Sequence, residues 1–203
     1  MPTLYDNPLS RNGYKVRLLA SHLGLPLRVV TKDLKAGESR QADFLAKNTA
    51  GKVPVLELED GTCLPESNAI VLFLAEGTPL LPTAPLERAQ VLRWMFFEQS
   101  QILPNIGLAR MLKLTGRDAQ RPDVYAQRLE VAQDSLAALE RHFGTHDWAA
   151  LDRFTVADIA LYAYASVAEE AGIDTAPYPA VVAWRTRVEA LPAHVKPDWG
   201  FGA

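Results

Sequence analysis

The sequence predicts an α/β domain followed by an all-α domain, and three observations carry that expectation. Up to residue 77 the pattern runs strand, helix, strand, helix, hairpin, helix. A stretch rich in proline follows at 78–85, and beyond it only helical periodicity recurs. The expected division is therefore 1–77, a linker at 78–85, and a helical domain at 86–203.

Residues 3 to 6 form the first short strand, and Asn7-Pro8-Leu9-Ser10-Arg11-Asn12-Gly13 is a dense cluster of turn and cap residues. Val16, Leu19, Ala20 and Leu23 then fall at helical spacing, and Gly24 ends the run. Leu27 to Thr31 is a second strand, rich in β-branched residues, followed by a polar loop and a short helix around Gln41 to Lys47. Pro54 to Leu58 and Thr62 to Leu64 flank Glu59-Asp60-Gly61, whose Asp-Gly pair signals a hairpin. Glu66-Ser67-Asn68 opens a helix whose apolar core, Ala69 to Leu74, must be covered on more than one side.

After the prolines 79, 82 and 85, a long helix is expected from about Leu86 to Leu114, bent near Pro104, which removes one backbone hydrogen bond. Another spans roughly Asp123 to Phe143. A third starts at Thr155, where Thr155-Val156-Ala157-Asp158 fits a capping box. A last helix covers about Tyr178 to Leu191.

Composition narrows the function classes. The 203 residues are 48% apolar and 22% charged, as in an ordinary globular protein, so a proper core can form. Residues 1 to 77 carry 9 basic and 9 acidic side chains and the remainder 12 and 15, a flat distribution that argues against nucleic acid as a partner. The start lacks a charged segment followed by an apolar one, and no apolar run approaches the ~18 residues of a membrane span, so a soluble chain without a membrane partner is expected. The lone Cys63 excludes an internal disulfide framework and fits a reducing, cytoplasmic setting. The four histidines, His22, His142, His146 and His194, show no metal-ligand spacing, so no metal is implied.

Three segments in this order resemble the glutathione S-transferase family across essentially the whole chain. They are Leu4 to Val16, Gly51-Lys52-Val53-Pro54-Val55, and Pro65-Glu66-Ser67-Asn68-Ala69-Ile70. The capping box at Thr155 to Asp158 also sits where that family has a folding signal in its C-terminal domain. The resemblance implies a thioredoxin-like βαβαββα domain and an all-α C-terminal domain. It also implies glutathione as co-substrate, a homodimer with its partner surface around the third and fourth helices, and transfer of the glutathione thiol to a hydrophobic electrophile in detoxification. A glutathione-dependent peroxidase or disulfide reductase, or a non-catalytic binding protein, is the alternative.

The chemistry requires a thiolate, yet a free thiol titrates at about 8.5. Lowering that value by two units takes about 2.7 kcal/mol of preferential stabilisation of the anion. A hydrogen bond to a charged group supplies ~1.5 to 3 kcal/mol and a helix N-terminus ~0.3 to 1, so one hydroxyl at a helix start suffices. Ser10 stands just ahead of the first helix, where the family's serine-type members keep a serine, although serine there is equally a cap. Asn12 is the rival donor, and Tyr5, at the strand end, is a third. Serine rather than cysteine at the activating position leaves Cys63 as a small apolar side chain.

For the rest of glutathione, the resemblance implies a cis peptide at Val53-Pro54, with the Val53 backbone taking the cysteinyl unit. Lys52 and Arg40 would hold the glycyl carboxylate. Ser67 would hold the γ-glutamyl carboxylate and Glu66 its ammonium. Gln101, Ile102 and Asn105 on the bent helix would line the second-substrate pocket, with Trp199 as a lid.

Overall fold

The computed structural model describes residues 1–201, and the chain falls into two compact units. The first comprises Met1–Glu76 together with the segment from Pro192 onward, and the second Gly77–Leu191.

In the first unit four strands, β1 (Thr3–Asp6), β2 (Arg28–Thr31), β3 (Val55–Glu57) and β4 (Cys63–Pro65), form one mixed sheet in the order β2-β1-β3-β4. β1 pairs parallel with β2, with Leu4 opposite Val29, and antiparallel with β3, with Tyr5 opposite Val55. β3 and β4 form the hairpin, with Val55 opposite Pro65. Three helices complete the unit, α1 (Arg11–Leu23), α2 (Ala42–Leu45) and α3 (Ser67–Ala75), together with a 3-10 turn at Glu38–Arg40. Alternation along β1 sends Leu4 and Asp6 to a buried face and leaves Tyr5 on the other, where its ring meets Phe44 of α2 edge-on at 6.0 Å. α1 and α3 pack together, burying Val16, Leu19, Ile70 and Val71.

α1 is buried well beyond one stripe, because the chain's last segment as well as α3 covers it. Tyr14 donates its hydroxyl to the Val195 carbonyl at 2.7 Å, and Ser21 donates to Ala193 at 2.8 Å. Arg17, inaccessible to solvent, donates to the carbonyls of Pro197 and Trp199 while pairing with buried Asp6 at 3.0 Å. The expected helical domain at 86–203 therefore ends at Leu191. The segment bearing Trp199, expected as a lid, is held against α1 by these bonds.

The second unit is all helical. Its opening residues, expected as a linker, pack within it: Leu81 is buried, and the Leu80 carbonyl accepts from the Val156 amide at 3.1 Å. α4 (Pro85–Phe97) runs into a π-helical stretch, Glu98–Gly107, before α5 (Leu108–Leu114). The expected bend at Pro104 thus takes the form of a wider helix, since a ring without an N–H cannot close the ordinary bond to the fourth residue back. The Asn105 side chain compensates locally, donating to the Gln101 carbonyl at 2.6 Å. α6 (Pro122–Phe143), α7 (Val156–Ala165) and α8 (Pro179–Glu189) follow, with Phe143 stacked on Trp184 at 4.4 Å.

At the start of α7 the capping box is present. The fully buried Asp158 carboxylate accepts from the amides of Thr155 and Ala149, each at 2.9 Å, from the Trp184 indole at 3.0 Å and from the Thr155 hydroxyl at 3.2 Å. Burial pushes its carboxyl from the usual 3.8 up to about 6, against the pull of these donors.

Candidate functional site

Strand directions bring the three sequence segments to one end of the sheet. β1 ends at Asp6, β3 begins at Val55 antiparallel to it, and β4 ends at Pro65 opposite Val55. The turn after β1, the Val53-Pro54 peptide and the Glu66-Ser67 helix start therefore emerge side by side. The Val53-Pro54 bond is cis.

Ser10 is the N-cap of α1 and accepts from the Gly13 amide at 3.1 Å, so the capping alternative is realised. Its hydroxyl proton remains to donate, and Ser10 is among the groups that draw the Asp6 carboxyl downward. Burial still dominates there and raises Asp6 to about 6, with the Arg17 guanidinium as the main opposing influence. Gly13 is needed at this point because a Cβ on it would lie 1.8 Å from Asp6 Oδ1.

Asn12, half-buried in the first turn of α1, is joined to α3: its Oδ1 accepts from the Ser67 hydroxyl at 3.1 Å. The amide nitrogen of Asn12 gives no hydrogen bond to any described residue. Because the Ser67 hydroxyl is directed at Asn12, the groups α3 leaves for an anion are its leading backbone amides, which the preceding residue does not cap. That residue, Glu66, is exposed and held at φ 73°, ψ 111°, a conformation that costs a non-glycine residue roughly 1–3 kcal/mol.

Arg40 and Lys52 come together on the neighbouring loop. Arg40 donates to the Ala50 carbonyl at 3.1 Å, and a Cβ on Gly51 would stand 2.9 Å from its Nη1. Lys52 is exposed beside it, while its carbonyl is fixed by Asn48 at 2.7 Å.

Two expectations find other placements. Tyr5 donates its hydroxyl to Glu57 at 2.6 Å on the α2 face, and that carboxylate also takes Lys47 at 2.8 Å. The bond to Glu57 is the main cause that raises the Tyr5 hydroxyl above its usual range, which removes it as a thiol activator. On the π-helical stretch, Ile102 is fully buried in the second unit's core, and Asn105 spends its side chain on Gln101 and on Arg128, which donates to it at 3.1 Å. Gln101 alone of the three is exposed. Burial raises the half-buried Cys63 thiol, the opposite of activation.

Sequence reasoning passed over Lys15. It is fully buried on α1, with Nζ 3.5 Å from Ser67 Oγ and 3.3 Å from Asn68 Oδ1. Its one sequence signal is its spacing, three residues after Asn12, which puts both on one helix face. Among the described residues no group of three or more His, Cys, Asp or Glu could hold a metal, and no helix is long and apolar enough to cross a membrane.

Family models for the glutathione S-transferase N-terminal domain and C-terminal domain match residues 2–76 and 102–192. A crystal structure of a possible glutathione S-transferase from Rhodopseudomonas palustris is 44% identical, covers 98% of this chain and 90% of its own, and superposes with a TM-score of 0.93. Maleylacetoacetate isomerase from Rhizobium meliloti is 34% identical over 94% of this chain and 92% of its own length. Disulfide-bond oxidoreductase YfcG from Escherichia coli is 31% identical over 95% and 92%. Elongation factor 1-gamma from Artemia salina also matches, and there the chain spans 40% of the relative's length.

Proposed function

From the premise that this chain belongs to the glutathione S-transferase family, we propose that its first unit binds glutathione, ionises the thiol beside the N-terminal end of α1, and directs it at an electrophilic carbon of a hydrophobic second substrate. The observation that carries the reading is the convergence of the three segments at one sheet end, closed by the Ser67–Asn12 hydrogen bond. Asn12 donates its amide to the sulfur, and Ser10, held as the cap, offers its hydroxyl as a second donor when its proton turns from Asp6 to the sulfur. The amide dipoles of α1 favour the anion.

The remainder of the tripeptide is held by groups of complementary charge. The amides opening α3, those of Ser67 and Asn68, take the γ-glutamyl carboxylate, and Glu66 takes its ammonium. The Val53 backbone pairs with the cysteinyl unit, and Lys52 and Arg40 face the glycyl carboxylate. The thiolate forms the new carbon–sulfur bond as the leaving group departs. Gln101, the exposed member of its group, is the side chain assigned to the second substrate.

The working form in this reading is a cytoplasmic homodimer acting in detoxification. The exposed apolar side chains Phe73 on α3 and Leu86 and Phe96 on α4 supply faces for a second copy. The likeness to the Escherichia coli oxidoreductase favours a second reading, glutathione-dependent disulfide reduction. There the thiolate attacks a disulfide sulfur and expels a thiolate, and a second glutathione resolves the mixed disulfide to oxidised glutathione and a free thiol.

Titration calorimetry with glutathione, followed by parallel rates with an aryl halide, a hydroperoxide and a mixed disulfide, tests both. Glutathione binding with the aryl halide fastest supports conjugation, and the mixed disulfide fastest supports reduction. No heat of binding at millimolar glutathione sinks both.

A further inference from the structure

Lys15 places an ammonium, fully buried, between α1 and the start of α3. An ammonium has three donors and no acceptor, so the Ser67 and Asn68 oxygens facing it must accept. The single proton of the Ser67 hydroxyl is thereby turned away from Lys15 and toward Asn12 Oδ1, 3.1 Å off. With that oxygen engaged, the amide nitrogen of Asn12 points the other way. An amide in the reverse orientation would present oxygen to a thiolate and repel it, so the direction of this short chain of bonds decides what Asn12 does.

We infer that Lys15 is a positioning residue: it fixes the direction of a Lys15–Ser67–Asn12 hydrogen-bond relay and so makes Asn12 a donor to the glutathione sulfur. The inference rests on the thiol chemistry proposed above. Lys15 itself stands behind Ser67 and need not touch the sulfur.

The test reads the thiol pKa of bound glutathione from thiolate absorbance across pH, on protein saturated with glutathione. Calorimetry gives the affinity in parallel, and circular dichroism checks the fold. In Lys15→Met the bound thiol is expected to rise by about one unit, a tenfold loss of thiolate below both values. In an Asn12→Ala background the same change is expected to add nothing, because the relay already lacks its end. If Lys15→Met does not fold, Ser67→Ala cuts the relay in its middle without uncovering a cation, and the same rise is expected.

An unshifted thiol in Lys15→Met, or in Ser67→Ala where the first variant is unfolded, overturns the relay, and so does a loss confined to glutathione affinity. A parent protein that binds no glutathione, or whose bound thiol keeps its free value, overturns the thiol chemistry itself and the relay with it. The two failures are thus told apart by the parent alone.

Discussion

Replacing Asp158 by alanine removes the acceptor that joins the 149 loop, the start of α7 and α8. Three buried donors, the amides of Ala149 and Thr155 and the Trp184 indole, lose their partner, whereas the Thr155 hydroxyl can rotate. At about 1.5–2 kcal/mol for each stranded donor the loss is roughly 5 kcal/mol. Burying the charged carboxyl works against the native state at pH 7: raised from 3.8 to about 6, it carries a penalty of about 3 kcal/mol that alanine escapes. The net destabilisation is therefore about 2–3 kcal/mol, a fall in Tm of roughly 5–10 °C for a chain of this size. Asparagine keeps one oxygen for Ala149 and Trp184, and its NH2 can donate to a rotated Thr155 hydroxyl. It strands only the Thr155 amide, about 1.5–2 kcal/mol, and escapes the same charge penalty, so the two effects offset and its melt should stay near the parent's. Melts followed by circular dichroism and calorimetry at pH 7 check that asparagine stays near the parent while alanine falls, with the transition of Gly77–Leu191 moving if the two units melt separately. An alanine variant melting within 2 °C of the parent, or an asparagine variant falling as far as alanine, would refute the reasoning.

Asn12→Ala is expected to lower kcat/KM at pH 6.5 by about ten- to a hundredfold, the loss of one bond to an anion. Ser10→Ala is expected to lose less activity but about 1 kcal/mol of stability as a missing cap, with steady-state rates and urea unfolding separating the two effects. Glu66→Gly relieves the φ 73° backbone and should stabilise the first unit by about 1 kcal/mol while weakening glutathione binding, both readable by melts and calorimetry. The Asp6 carboxyl, raised to about 6 when folded and near 3.8 unfolded, contributes stability fully present below 3.8 and lost as pH rises through 6. Side-chain carboxyl carbon shifts should show its titration near 6, and a midpoint below 4 would contradict the burial argument.

The parts of this molecule legible in the sequence are those whose causes are local. The strand and helix order, the turn at Asn7 to Ser10, the Asp60-Gly61 hairpin and the Thr155–Asp158 box are each set by a few adjacent residues, and each appears in the structure. What stayed hidden depends on partners distant in sequence. The burial of Lys15 and Arg17 is one case, because nothing within several residues reveals that α3 and the final segment cover them. The buried placement of Ile102 and Asn105 depends on α6 and α7, which pack against the π-helical stretch from far along the chain. Glu66 gave no warning of its positive φ, since that conformation belongs to glycine or asparagine in ordinary turns.

The clasp between Arg17 and the carbonyls of Pro197 and Trp199 makes the first unit discontinuous along the chain. During synthesis this unit emerges first yet is finished last, since the segment over α1 leaves the ribosome only after every helix of the other unit. The continuous helical unit can therefore close on itself while the first unit is still waiting for its final residues.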